Sequence, residues 1–89
     1  AYTRSRKRKG FGPVRINHEL LSKGIKDSIS NQIISEEGPW NEAAKKAFDK
    51  KFKNGPSTEI KETLKQKNFL QNRGFTHKEI ESVFTNGML

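Results

Sequence analysis

One short pattern occurs twice in the chain, fifty residues apart: His18-Glu19-Leu20-Leu21-Ser22-Lys23-Gly24-Ile25 and Asn68-Phe69-Leu70-Gln71-Asn72-Arg73-Gly74-Phe75. Each copy reads as the end of a helix: a Leu, then a cation, then Gly, then a large apolar residue that opens another amphipathic segment. At the same offset Val14 pairs with Leu64, Leu20 with Leu70, Ile33 with Val83 and Ile34 with Phe84. Self-similarity at a fixed period predicts a helical repeat protein.

The shared Gly has a physical reason. Gly24 and Gly74 each follow a cation and precede an apolar residue, the arrangement of a left-handed helix C-cap, where a Cβ would cost about 1 to 2 kcal/mol. Lys23 and Arg73 then lie at the negative end of a helix dipole. After the second Gly, Thr76-His77-Lys78-Glu79 reads as a capping box that starts a helix with Ile80, Val83 and Phe84 on one face. After the first, Asp27 is the expected cap, and the copies diverge because Ile29 stands one position earlier than Ile80.

A third helix per unit lies upstream. Trp40, Ala44, Ala47, Phe48 and Phe52 form an apolar stripe, with Lys45, Lys46, Asp49, Lys50 and Lys53 mostly outside it. Pro39 is expected in the first turn of that helix. Ala1-Tyr2-Thr3-Arg4 resembles Ala47-Phe48-Asp49-Lys50, so the chain is expected to begin inside the equivalent helix of a preceding unit, and a start at Ala1 fits a piece excised from a longer chain. The expected division is residues 1–38, a unit lacking its beginning, and residues 39–89, the complete unit. No strand survives this reading; the fold class is all-α, tandem three-helix units stacked into a curved, elongated array.

Within those units Lys9-Gly10-Phe11-Gly12-Pro13 ends the first helix, because Pro13 is suited only to the opening of another. Pro13 to Lys23 is that second helix, with Val14, Leu20 and Leu21 available to the core. Glu36-Glu37-Gly38-Pro39 and Asn54-Gly55-Pro56-Ser57 are turns, and Ser57 is the expected N-cap for Thr58 to Asn72. In that last helix Ile60, Leu64, Lys67 and Leu70 share a face, so the Lys67 stem is expected to cover apolar surface while its amine reaches water.

Composition narrows the function. The chain has no Cys, which excludes disulfides and thiolate chemistry. No apolar run approaches the ~20 residues of a membrane span, so a soluble, cytoplasmic protein is expected. His18 and His77 stand far apart and without clustered carboxylates, Gly10-Phe11-Gly12 lacks the Gly-Lys-Ser/Thr ending of a phosphate loop, and Glu36-Glu37 is most simply a solvated pair. No catalytic residue, metal or cofactor is expected. Charge is more telling: 18 Lys and Arg oppose 10 acids for a net +8, and residues 1–26 carry eight cations against one acid. Arg4, Arg6, Lys7, Arg8 and Lys9 fill five of six positions, which favours a polyanion or an acidic protein groove over the plainer reading of a solvated helix end.

These residues carry a family resemblance. Gly10-Phe11-Gly12-Pro13-Val14-Arg15-Ile16-Asn17-His18-Glu19-Leu20-Leu21-Ser22-Lys23-Gly24-Ile25 resembles the GPxRIxxELxxKGI segment of the bacterial RecX regulators. Trp40, Ala44 and Lys50-Lys51, together with the later Lys67-Asn68-Phe69-Leu70-Gln71-Asn72-Arg73-Gly74-Phe75, are similar to that family's last unit; Asn68 departs from it, since a cation is common there. The resemblance implies three tandem three-helix units, of which residues 1–38 would be the second and 39–89 the third. It further implies a non-enzymatic regulator that binds RecA-type recombinase filaments on single-stranded DNA and mostly inhibits recombination and the damage-response coprotease activity; a monomer is expected, and the basic cluster is expected to touch DNA alone weakly and without sequence preference. The expected contact residues are Arg4, Arg6, Lys7, Arg8, Lys9, Arg15, Lys23, Lys67 and Arg73. Arg15 stands out because a cation in a first turn gains nothing from the helix dipole. The alternative, a helix-turn-helix DNA binder, is disfavoured by Asp27, Glu79 and Glu81 on the segments that would have to enter a groove.

Overall fold

The computed structural model describes residues 1–85 as six helices without a strand: α1 Tyr2–Arg8, α2 Pro13–Ser22, α3 Asp27–Glu36, α4 Asn41–Lys51, α5 Ile60–Asn72 and α6 His77–Thr85. Residues 86–89, expected to close the second unit, lie outside the described residues. The helices make an elongated body of 42 × 24 × 19 Å, with α2 packed on α3 and α1, and α4 on α6 and α5. No helix among the described residues is long and apolar enough to cross a membrane.

The repeated pattern forms the same backbone device in both places. The N–H groups of Gly24 and Ile25 donate to the carbonyls of Leu21 and Leu20 at 3.0 and 3.2 Å, and those of Gly74 and Phe75 donate to Gln71 and Leu70 at the same two distances. This is the Schellman cap, with the glycines at φ +90° and +97°. A third copy, Lys9-Gly10-Phe11, closes α1 on Lys7 and Arg6, where the sequence suggests only a break. At α6 the capping box forms as expected: the Thr76 N–H donates to Glu79 Oε1 at 2.9 Å and the Glu79 N–H to Thr76 Oγ1 at 3.2 Å.

Other helix starts differ from expectation. α4 begins at Asn41, so Pro39 precedes the helix instead of opening it. Asp27 lies inside α3 and makes no cap bond; Lys26 occupies the cap position. Ser57 Oγ accepts from the Glu59 N–H at 3.0 Å, two residues on, and α5 starts only at Ile60. A Ser bonding that close to itself shapes a turn ahead of the helix.

The core runs through both units: Ile16, Leu20, Trp40, Ala43, Ala44, Ala47, Phe48, Leu70, Phe75, Ile80 and Val83 are buried. Phe48 sits at its centre, 5.0 Å from the Phe52 ring and 5.4 Å, edge to face, from Phe84. Val14 and Leu21, expected in the core, are exposed, and so are Ile60 and Leu64, at 77% and 56%. The buried face of α5 is turned toward Gln66 and Leu70 instead. Gln66 holds the preceding loop, accepting from the Ser57 N–H at 2.9 Å and donating to the Gly55 carbonyl at 3.2 Å. Loop polar groups without water need such a partner, and that need places an amide where periodicity suggests an aliphatic side chain.

One joint fixes the two halves together. The Gly12 N–H donates to the Arg73 carbonyl and the Val14 N–H to the Gly74 carbonyl, both at 2.8 Å. The unpaired N–H groups that open α2 thereby satisfy the carbonyls that end α5, positive helix end against negative. The approach is close: a Cβ on Gly74 would stand 2.4 Å from Arg15 Cβ, and one on Gly12 would stand 2.5 Å from the Gly74 backbone.

Candidate polyanion-binding cleft

The Schellman cap after α1 turns the chain back toward α4, so that a Cβ on Gly10 would meet that of Ala47 at 3.6 Å. Between these elements and the end of α5 opens a cleft of about 240 Å³. Ala43, Ala47 and Phe69 form its apolar floor, and Arg8, Lys9, Lys46, Lys50, Lys51 and Arg73 stand around it. No carboxylate among the described residues lines it. Lys46 and Lys50 share one face of α4 by their four-residue spacing. Asp49, which lies between them in sequence, is paired with Lys45 at 2.7 Å. Six cations around an apolar floor attract an extended anion that carries flat or aliphatic groups.

Beside the cleft, three guanidiniums surround one ring. Arg6, Arg15 and Arg73 lie 4.0, 4.6 and 4.8 Å from the Phe11 centroid, and Arg73 also lies 5.3 Å from that of Phe69. Stacking on aromatic faces holds a guanidinium flat while leaving its edge free. Glu19 balances this group, accepting from Arg6 at 3.0 and 2.7 Å, from the Tyr2 hydroxyl at 2.6 Å and from Arg15 at 3.4 Å. The Arg6 hydrogen bonds, first among these causes, hold the Glu19 carboxyl down to about 2. The same carboxylate pushes the Tyr2 hydroxyl up.

The structure therefore sorts the nine expected residues into separate settings. Arg8, Lys9 and Arg73 meet at the cleft, and Arg15 stands next to it on Phe11. Arg6 is committed to Glu19, and Lys7 donates to the Glu37 carbonyl and lies 4.9 Å from the Trp40 ring centroid. Arg4 makes a long, exposed contact of 3.4 Å with Glu37. Lys23 lies over the Tyr2 ring at 4.7 Å, at the far end of α2. Lys67 covers Phe84 at 5.3 Å, but its amine is paired with Glu81 at 2.9 Å, where water alone is expected from the sequence. That pairing lowers the Glu81 carboxyl below its ordinary range. Lys46, Lys50 and Lys51 join the site without being among the expected residues. The signal that could have found them is the lysine stripe of α4, which has to point somewhere once Trp40, Ala44 and Phe48 are turned inward.

Comparison with known proteins gives one consistent answer. Residues 1–33 match the model of the second three-helix domain of RecX, and residues 41–84 match that of the third. The chain is 40% identical over 86 residues to the regulatory protein RecX of Pectobacterium atrosepticum, which covers 96% of this chain and 53% of that protein. It is 37% identical over 89 residues to the RecX of Yersinia pseudotuberculosis (99% and 49%) and 36% identical over 85 residues to that of Serratia proteamaculans (94% and 51%). The chain thus spans about half the length of the curated relatives it matches. No solved structure gives a significant match. Two ordered domain matches and relatives named as regulatory proteins place the chain, with its tandem helical repeat, in the RecX family.

Proposed function

We propose that the chain is the filament-engaging half of a non-enzymatic, cytoplasmic RecX-type regulator, with residues 1–38 and 39–89 as its second and third units. It binds a RecA-type recombinase filament on single-stranded DNA and restrains recombination and the coprotease signal of the damage response. It acts as a monomer, and DNA alone holds it weakly. The observation that carries this reading is the cleft, in which, among the described residues, six cations and no carboxylate surround an apolar floor between the two halves. Arg8, Lys9, Lys46, Lys50, Lys51 and Arg73 form the contact, with Arg15 and Arg4 beside it. Arg6, Lys7 and Lys67 shape the surface through their internal partners, and Lys23 adds charge at the far end.

Co-sedimentation tests it. The chain is expected to pellet with recombinase filaments assembled on single-stranded DNA at concentrations at least tenfold below those needed with DNA alone. The double variant Lys46→Glu, Lys50→Glu should lose most of that advantage. Equal retention on bare DNA would end the filament reading. A base preference that survives high salt would favour the helix-turn-helix reading instead.

A further inference from the structure

Two further clefts adjoin the basic one, and they show where its charge ends. Arg8, Ala43 and Lys46 also line a cleft of about 300 Å³ on the far side of them, where Glu37 and Glu42 stand. Lys51 also lines an open cleft of about 530 Å³ beside the loop that precedes α5, where Glu62 stands. The stretch without a carboxylate among the described residues is therefore a single cleft. Pairing divides the cations in the same way. Arg4, Arg6, Arg15 and Lys67 each meet a carboxylate, whereas none of the six cleft cations enters an ion pair among the described residues.

An anion held there gains most when its charge is compact. At 0.1 M salt the screening length is about 10 Å, so phosphates gathered inside the cleft feel the cations around it together. A strand that runs on past either end meets carboxylates instead. The floor sets a second requirement. Ala43 and Ala47 are buried, and Phe69 is half-buried and held edge to face on Phe52 at 5.5 Å. Arg73 lies over Phe69 at 5.3 Å and over Phe11 at 4.8 Å, a guanidinium held in place by two rings. A flat base settles against such a surface, and a bare phosphate chain gains nothing from it. The volume of about 240 Å³ is below the roughly 300 to 1,000 Å³ that encloses a whole small ligand, so the cleft seats a ring and leaves a charged tail at its rim. We infer that the cleft is a binding site for a free nucleoside polyphosphate, its base on the floor at Ala47 and Phe69 and its phosphates among Arg8, Lys46 and Lys50. The metal-free form is the preferred one, because the cleft offers no carboxylate to a divalent cation and a bound Mg²⁺ cancels part of the charge that the lysines attract. The assignment rests on the cleft alone and is independent of filament binding.

Calorimetric titration and amide NMR of the chain with ATP, in EDTA and without any filament, test the site. ATP should bind one to one, moving the amides of Ala43, Ala47 and Phe69 and leaving that of Lys23 in place. Inorganic tripolyphosphate and a short single-stranded oligonucleotide of the same charge should each bind at least fivefold more weakly, and excess Mg²⁺ should weaken ATP severalfold. Lys46→Gln with Lys50→Gln, at exposed helix positions, should lower the affinity for ATP at least tenfold while the melting temperature stays nearly unchanged. Tripolyphosphate bound as tightly as ATP would overturn the nucleotide assignment. An oligonucleotide bound more tightly than ATP would do the same and give the cleft to a continuous strand. ATP affinity that survives the double substitution, or amide shifts spread evenly over every basic surface including Lys23, would remove the site itself.

Discussion

At the scale of single residues, the two glycines that define the repeat separate into different roles. Both need a positive φ, but only at Gly74 would an added Cβ also strike a neighbour, standing 2.4 Å from the Arg15 Cβ. Gly24→Ala is expected to cost about 1 to 2 kcal/mol, the penalty of the left-handed backbone alone. Gly74→Ala should cost clearly more, because the helix joint must open, and urea melts of the two variants compare them directly. Glu19 gives a second prediction. Its carboxyl falls from an ordinary 4.5 to about 2 in the folded chain, so its stabilisation is complete above pH 4.5 and is lost as the pH drops toward 2. Glu19→Gln should remove about 1 to 2 kcal/mol at neutral pH, the lower part of the range for charged hydrogen bonds because the pair still touches water. It should also flatten the acid limb of the stability curve between those pH values.

At the scale of elements, the two repeated C-terminal caps and one capping box were legible in the sequence, whereas the starts at Pro39, Asp27 and Ser57 and the buried faces were less so. A cation, a Gly and an apolar residue in order dictate a Schellman cap through local backbone chemistry, as does the Thr76 to Glu79 box. Which stripe of a helix is covered depends on partners that sequence periodicity does not name. Hydropathy puts Ile60 and Leu64 inside and leaves Gln66 out, whereas the loop's need for a buried amide reverses the two. The fifty-residue offset held a clue, because Gln66 falls on Ile16, which is completely buried, and Leu64 falls on Val14, which is exposed. The cleft was half legible: the α1 cations were visible as a run, and the α4 lysines became neighbours only through the turn at Gly10. Truncation separates the faces experimentally. Leu20→Ala and Leu70→Ala should each cost about 2 to 5 kcal/mol, and Ile60→Ala and Leu64→Ala should stay within about 0.5 kcal/mol, all read from denaturant midpoints.

At the scale of the whole molecule, charge is concentrated where the two halves meet. If the six cleft cations all reach phosphates of a single strand, the log-log salt dependence of binding should have a slope near −4, from about 0.7 per phosphate. Lys46→Glu with Lys50→Glu should reduce that slope by more than a third, whereas Arg6→Gln, which removes an internally paired cation, should change it little. Titrations across a several-fold range of salt concentration decide between these outcomes. The joint between α5 and α2 adds a different property. It is built from main-chain groups that neither titrate nor attract counterions, so salt can screen the attraction of the surface while the angle between the halves persists. Recognition and shape are governed by separate controls in this molecule. Raising the salt concentration is therefore expected to weaken binding at the cleft without unfolding the array, and lowering it again to restore binding on the same rigid template.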